Sequence, residues 1–153
     1  AMPDGTIKNY TVDDGMRSNE IRCSFEMKDG RILVGSNAGI SIINEGKIIK
    51  NLGKGDGITN TVIHTLAEGE NGEIYAGSDG GGIYIIKDGK IENIGDEDDL
   101  TSDVVTRIKK DEELGIYWII TSNSIEYMKD GKITMEINRD GDFTEQAIIE
   151  VMI

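Results

Sequence analysis

His64 is the only histidine and Cys23 the only cysteine in 153 residues. A nucleophile-base pair or a metal centre needs partners at a workable spacing, and His64 has none. It follows Ile63 in a short apolar run and reads as a structural or channel-lining side chain. Cys23 lies in a similar run and reads as a small packing residue. With one cysteine, neither an internal disulfide nor a cysteine-based metal cluster can form. Acids gather at Asp96-Glu97-Asp98-Asp99 and at Asp140-Gly141-Asp142, but neither run has the alternating oxygens and closing glutamate of a calcium loop. They read as solvated loop acids, and Lys109-Lys110-Asp111-Glu112-Glu113 reads as an exposed turn. Ser78-Asp79-Gly80-Gly81-Gly82-Ile83 lacks the Gly-Lys-Ser/Thr ending of a phosphate cradle and opens no helix, so a widened loop is expected. No metal and no cofactor is expected.

What remains is a set of polar residues at recurring positions: Arg17, Ser18, Asn19, Asn37, Asn60, Asp79, Ser102, Asp103 and Asn123. Amides, hydroxyls and a few charges suit a polar ligand such as a sugar, if the fold gathers them. The same residue types also cap turns by bonding their own backbone.

The grouping comes from an internal repeat. Asp4-Gly5-Thr6-Ile7, Glu45-Gly46-Lys47-Ile48, Asp88-Gly89-Lys90-Ile91 and Asp130-Gly131-Lys132-Ile133 recur about every 42 residues. Val34-Gly35-Ser36, Ala76-Gly77-Ser78 and Ile119-Ile120-Thr121 keep the same period. So do the unit openings at Asp14-Gly15-Met16, Asp56-Gly57-Ile58 and Asp98-Asp99-Leu100. Within a unit, short runs rich in Ile, Val and Tyr alternate with Gly, Asn and Asp, the pattern of strands and tight hairpins. In the second unit the runs are 62–67, 73–76, 83–86 and 91–94. No window carries a capped 3.6-residue apolar period, so almost no helix is expected.

Four antiparallel strands per period of about 42 residues is the arithmetic of a β-propeller blade. The expected fold is all-β, a partial β-propeller over residues 3–153 with about three and a half four-stranded blades. The blade units are 14–55, 56–98 and 99–141, with an outer strand at 6–12 and the first strand of a further blade at 147–153. In that fold the polar corners ring one mouth of the central channel.

Composition narrows the partners. Lys plus Arg count 16 against 29 Asp plus Glu, a formal charge of -13 that repels nucleic acid and anionic lipid alike. No run approaches a membrane span, and no signal pattern opens the chain. The alanine before Met2 reads as a remnant ahead of a piece cut from something longer. A lone histidine and the lack of paired carboxylates at matching strand positions argue against a propeller enzyme.

The unit resembles the two-component-regulator propeller repeat, roughly Gly-Leu-x-Ser-Asn-x-Val-x-x-Ile followed by Asp-x-x-Gly-x-Leu-Trp-Ile-Gly-Thr-x-x-Gly-Leu. The first half stands here as Gly15-Met16-Arg17-Ser18-Asn19-Glu20-Ile21 and Gly57-Ile58-Thr59-Asn60-Thr61-Val62-Ile63. The second half stands as Asp29-Gly30-Arg31-Ile32-Leu33-Val34-Gly35-Ser36 and Asn71-Gly72-Glu73-Ile74-Tyr75-Ala76-Gly77-Ser78. The tryptophan position holds Leu33, Tyr75 and Trp118, and Ile120 replaces the glycine of the third unit. The resemblance implies an extracytoplasmic ligand-binding sensor segment of a bacterial receptor, with a membrane span and a histidine kinase or diguanylate cyclase elsewhere in the parent protein. The alternative is a protein-interaction or dimerisation scaffold without a small-molecule ligand. Three and a half blades do not close a ring of four to eight, so self-association through uncovered end blades is also expected.

Overall fold

The computed structural model describes residues 9–95 and 100–134. Among the described residues, twelve strands form three four-stranded antiparallel sheets, each paired in chain order. Blade one holds β1 (Ile21–Glu26), β2 (Ile32–Ser36), β3 (Gly39–Asn44) and β4 (Lys47–Leu52). Blade two holds β5 (Ile63–Glu68), β6 (Ile74–Ser78), β7 (Ile83–Lys87) and β8 (Lys90–Ile94). Blade three holds β9 (Val105–Asp111), β10 (Ile116–Thr121), β11 (Ile125–Lys129) and β12 (Lys132–Thr134).

The predicted turn chemistry is the observed one. Between the third and fourth strands of every blade, two residues take positive φ: Glu45 and Gly46, Asp88 and Gly89, Asp130 and Gly131. That is the hairpin turn whose twist matches the strands it joins. The expected outer strand at 6–12 needs correction where it is described, because residues 9–11 are not strand and Val12–Asp14 is a 3-10 turn. Thr11 Oγ1 accepts from Asp13 N, and the Asp14 carboxylate accepts from Thr11 N. This reciprocal cap closes a turn where an extended run was expected. The strand expected at 147–153 lies outside the described residues.

Blades pack face to face through a repeated joint. The first strand of each following blade sets an aliphatic residue over a glycine in the second strand of the blade before it. A Cβ on Gly35 would come within 2.9 Å of Ile63, and one on Gly77 within 2.7 Å of Val105. Leu33, Ile40, Ile63, Leu66, Ile74 and Tyr84 fill the first joint, and Ile83, Val105, Ile108, Tyr117, Ile119 and Met128 the second. Backbone bonds tie the joints at one end of the sheets: Gly39 N donates to Thr61 O (2.8 Å), and Gly82 N to Asp103 O (2.8 Å). Both glycines have positive φ and pass so close to Leu52 O and Ile94 O that any side chain would collide.

On the outer face of blade one, Met16, Val34 and Ile43 are buried with Tyr10 and Ile48 beside them. Ile21 and Ile32 of the same face are 47% and 41% exposed, whereas Ile63 and Ile74, their counterparts in blade two, are buried. The outer face of blade three gathers Ile116 and Trp118 with Ile120, Ile125 and Tyr127.

Candidate functional site: one end of the innermost strands

Antiparallel pairing brings the loop leading into each first strand beside the corner between the second and third strands. Backbone bonds fasten them: Asn37 N to Glu20 O, Asp79 N to Val62 O (3.0 Å) and Ser122 N to Val104 O (3.0 Å). All nine sequence-predicted site residues lie on these loops and corners.

Several of them hold their own loops. Ser18 Oγ accepts from Glu20 N (3.0 Å), and Asn19 Oδ1 from Val12 N (3.0 Å). Asn60 donates to Asp79 O (2.8 Å) and accepts from Val62 N (3.2 Å). Ser102 Oγ accepts from Val104 N and shares a bond with Ser122 Oγ (2.8 Å). The Asp103 carbonyl receives the amides of Gly80 and Gly82 from the neighbouring blade. Asn123 is exposed at its corner, with its amide bonded to Thr121 Oγ1 (3.2 Å). Arg17 is exposed, its guanidinium over Gly53. Asn37 and Asp79 turn instead toward the first strands.

What they meet there was not read from the sequence. Each first strand carries a register shift against its second strand near its start. Ile21 pairs with Ser36 but Cys23 with Gly35; Ile63 pairs with Ser78 but Thr65 with Gly77; Val105 pairs with Thr121 but Arg107 with Ile120. The extra residues are Arg22, His64 and Thr106. A bulge re-aims one side chain without disturbing the alternation on either side of it. Arg22 Nε donates to Asn37 Oδ1, and Asn37 Nδ2 in turn donates to the Glu20 carboxylate. His64 Nε2 lies 3.2 Å from Asp79 Oδ1. Thr106 Oγ1 donates to Ile120 O (3.1 Å). The result is a repeated polar ladder, one rung per blade, on the innermost strands. His64 lies on the first strand of blade two beside Asp79, while Arg22 and Thr106 are new; only the period, laid over His64, could have pointed to them.

Behind the ladder, one third-strand position per blade braces the lead-in loop. Ser41 bonds Asn51, which donates to Gly15 O (2.8 Å). The Tyr84 hydroxyl bonds Thr59 Oγ1 (2.9 Å) and accepts from Asn60 N (2.8 Å). Glu126 Oε1 accepts from Thr101 N (2.9 Å) and Ser124 Oγ (2.7 Å), and its buried Oε2 has no partner among the described residues. Cys23, packed under Gly35 with its thiol pushed up to about 11 by burial, is an inert packing group as expected.

The opposite end of the sheets holds a cleft of about 680 Å³ between blades two and three, lined by Glu70, Glu73, Tyr75, Lys87, Tyr117 and Lys132 among others. Its floor is an edge-to-face pair, Tyr75 and Tyr117, with centroids 5.0 Å apart. Both hydroxyls are engaged, Tyr75 with Glu73 and Tyr117 with Glu68 O. Burial pushes the Tyr117 hydroxyl up to about 12, and raises that of Tyr75 together with the Glu73 charge. None of the nine predicted residues lines this cleft.

Among solved structures, the chain is similar to the extracellular domain of a protein assigned as a hybrid two-component system of Bacteroides thetaiotaomicron, with TM-score 0.69 and 19% identity over 79% of this chain and 17% of that one. The fold is a segment of a β-propeller. A second extracellular domain from the same organism, of a protein assigned as a one-component system, matches with TM-score 0.65 and 16% identity over 86% of this chain and 20% of that one. Virginiamycin B lyase from Staphylococcus aureus matches with TM-score 0.71 and 23% identity over 90% of this chain and 47% of that one. The chain therefore spans less than half the length of each. No protein-family model matches it, and no curated protein sequence is a significant relative. The structural likeness falls on two extracellular domains and on a lyase alike, and what they share with this chain is the fold.

Proposed function

We propose that this chain is a non-enzymatic, extracytoplasmic ligand-binding segment of a bacterial signal-transduction receptor, and that it recognises a polar solute or oligosaccharide through one mouth of the propeller channel. The observation that carries this reading is the ladder of Arg22–Asn37, His64–Asp79 and Thr106. Three side chains of hydrogen-bonding character recur at one height on neighbouring innermost strands, each placed by a bulge. Bulges re-aim side chains and recur at rims and beside binding sites, and polar groups at a channel mouth suit a hydroxyl-rich ligand. The extracellular neighbours support the compartment, and among the described residues no helix is long and apolar enough to cross a membrane.

The test is calorimetric titration against a panel of oligosaccharides, with the triple variant Asn37→Ala, Asp79→Ala, Asn123→Ala. The binder found with the native chain should lose at least about tenfold in affinity. Unchanged affinity in the triple variant would place the site elsewhere.

A second reading rests on the exposed pair Ile21 and Ile32. A second chain closing the ring through the end blades would cover them, as Gly35 and its neighbours cover Ile63. Light scattering at micromolar concentration should then give the mass of two chains, and the mass of one chain would remove this reading.

A further inference from the structure

We propose that the mouth site, if it is the ligand site argued above, selects a saccharide bearing an oxyanion, a carboxylate or a sulfate ester, and that Arg22 is the residue that contacts it. Arg22 is exposed in a chain with 29 acids and 16 basic residues. Among the described residues no ion pair includes Arg22. Its Nε is instead held by the neutral amide oxygen of Asn37. The nearest acid in that network, Glu20, is bonded to the other end of the same amide. Asn37 therefore fixes the guanidinium without neutralising it, and the two terminal amino groups are left as a preset fork for a planar or tetrahedral oxyanion.

The neighbouring rung fits the same role. The Asp79 carboxylate is turned to His64 Nε2, 3.2 Å away, so it faces a donor on its own blade and not Arg22. Arg17 adds a second guanidinium at the same end of the sheets. The lysines that flank the hairpins, Lys47, Lys87, Lys90, Lys129 and Lys132, belong to the other end. A local cationic fork in a chain of net charge -13 is a selective feature, because the overall field offers anions no general attraction.

The experiment compares three probes of equal length on the 153-residue chain: neutral galactotriose, trigalacturonate, and a sulfated galactotriose. One or both acidic probes should bind at least about tenfold more tightly than the neutral one. Arg22→Gln should abolish that preference while leaving the melting temperature in place, since Arg22 is exposed. Arg22→Lys, which keeps the charge and loses the fork, should recover only part of it. The relative strength of the two acidic probes tells carboxylate from sulfate. Equal binding of all three, weakened by the triple variant at Asn37, Asp79 and Asn123, overturns the oxyanion inference and leaves the mouth site standing. An acidic preference untouched by Arg22→Gln overturns the assignment of Arg22. Binding of none of the three by the native chain overturns the inference as well.

Discussion

The two inner joints and the two outer faces of this molecule are made from the same repeat, yet they end in different states. At the inner joints Ile63 and Val105 are fully buried over Gly35 and Gly77. At the outer face of blade one the equivalent Ile21 is 47% exposed. At the outer face of blade three the receiving glycine is replaced by Ile120, so the hole into which a following blade would set its aliphatic residue is filled. Polarity changes as well: where blades two and three present Leu66 and Ile108 to the blade before, blade one presents Ser24, which is exposed. A repeat specifies what each residue can pack against. Whether it packs depends on the blade beside it.

That contrast can be broken experimentally. The largest effect is expected for Ile63→Ala, which empties the centre of a joint and should cost about 2–5 kcal/mol in denaturant unfolding, while Ile21→Ala at the equivalent position should stay within about 0.5 kcal/mol. A similar loss in both variants would mean that the blade-one face is covered in solution. Next is Gly77→Ala. The added methyl would come within 2.6 Å of Thr65 and 2.7 Å of Val105, so overpacking should cost about 1–3 kcal/mol, again read from the denaturant midpoint.

Tyr84→Phe leaves the joint filled but removes the partner of Thr59 and Asn60 N, at a cost of about 1 kcal/mol, with faster amide exchange confined to residues 58–62. The smallest effect separates the two ends of the second joint. The Tyr117 hydroxyl is raised from its ordinary value near 10 to about 12, so its neutral form is favoured by the fold. Its contribution is complete below pH 10 and is lost as pH rises from 10 through 12. Absorbance at 295 nm should show late-ionising tyrosine, reduced in Tyr117→Phe and lost in urea.

Much of the fold was legible before any coordinates. Asp-Gly and Glu-Gly pairs at one period mark the hairpins because only a few residue types accept positive φ, and Glu45 adopts φ 51° under the same constraint. The alternation in Ile74, Tyr75, Ala76 and Gly77 separates the two faces of a strand in one reading. The candidate site was legible only as a neighbourhood. Asn37 and Asp79 stood at corners that the period aligned, but Ser18, Asn19, Asn60 and Ser102, of the same residue types, bond their own loops. Arg22 was invisible because a one-residue bulge leaves the apolar pattern on both sides intact and carries no residue preference of its own.

The sequence by itself determined the four-strand repeat of the three described blades and their hairpins, because these depend on local backbone freedom and on a side-chain period of two. Only the tertiary structure decided that Asn37 and Asp79 turn to the innermost strands, that bulges aim Arg22 and His64 at them, and that Ile21 is surface where Ile63 is core. Those outcomes depend on register and on the presence of a neighbouring blade, and a residue's own type encodes neither.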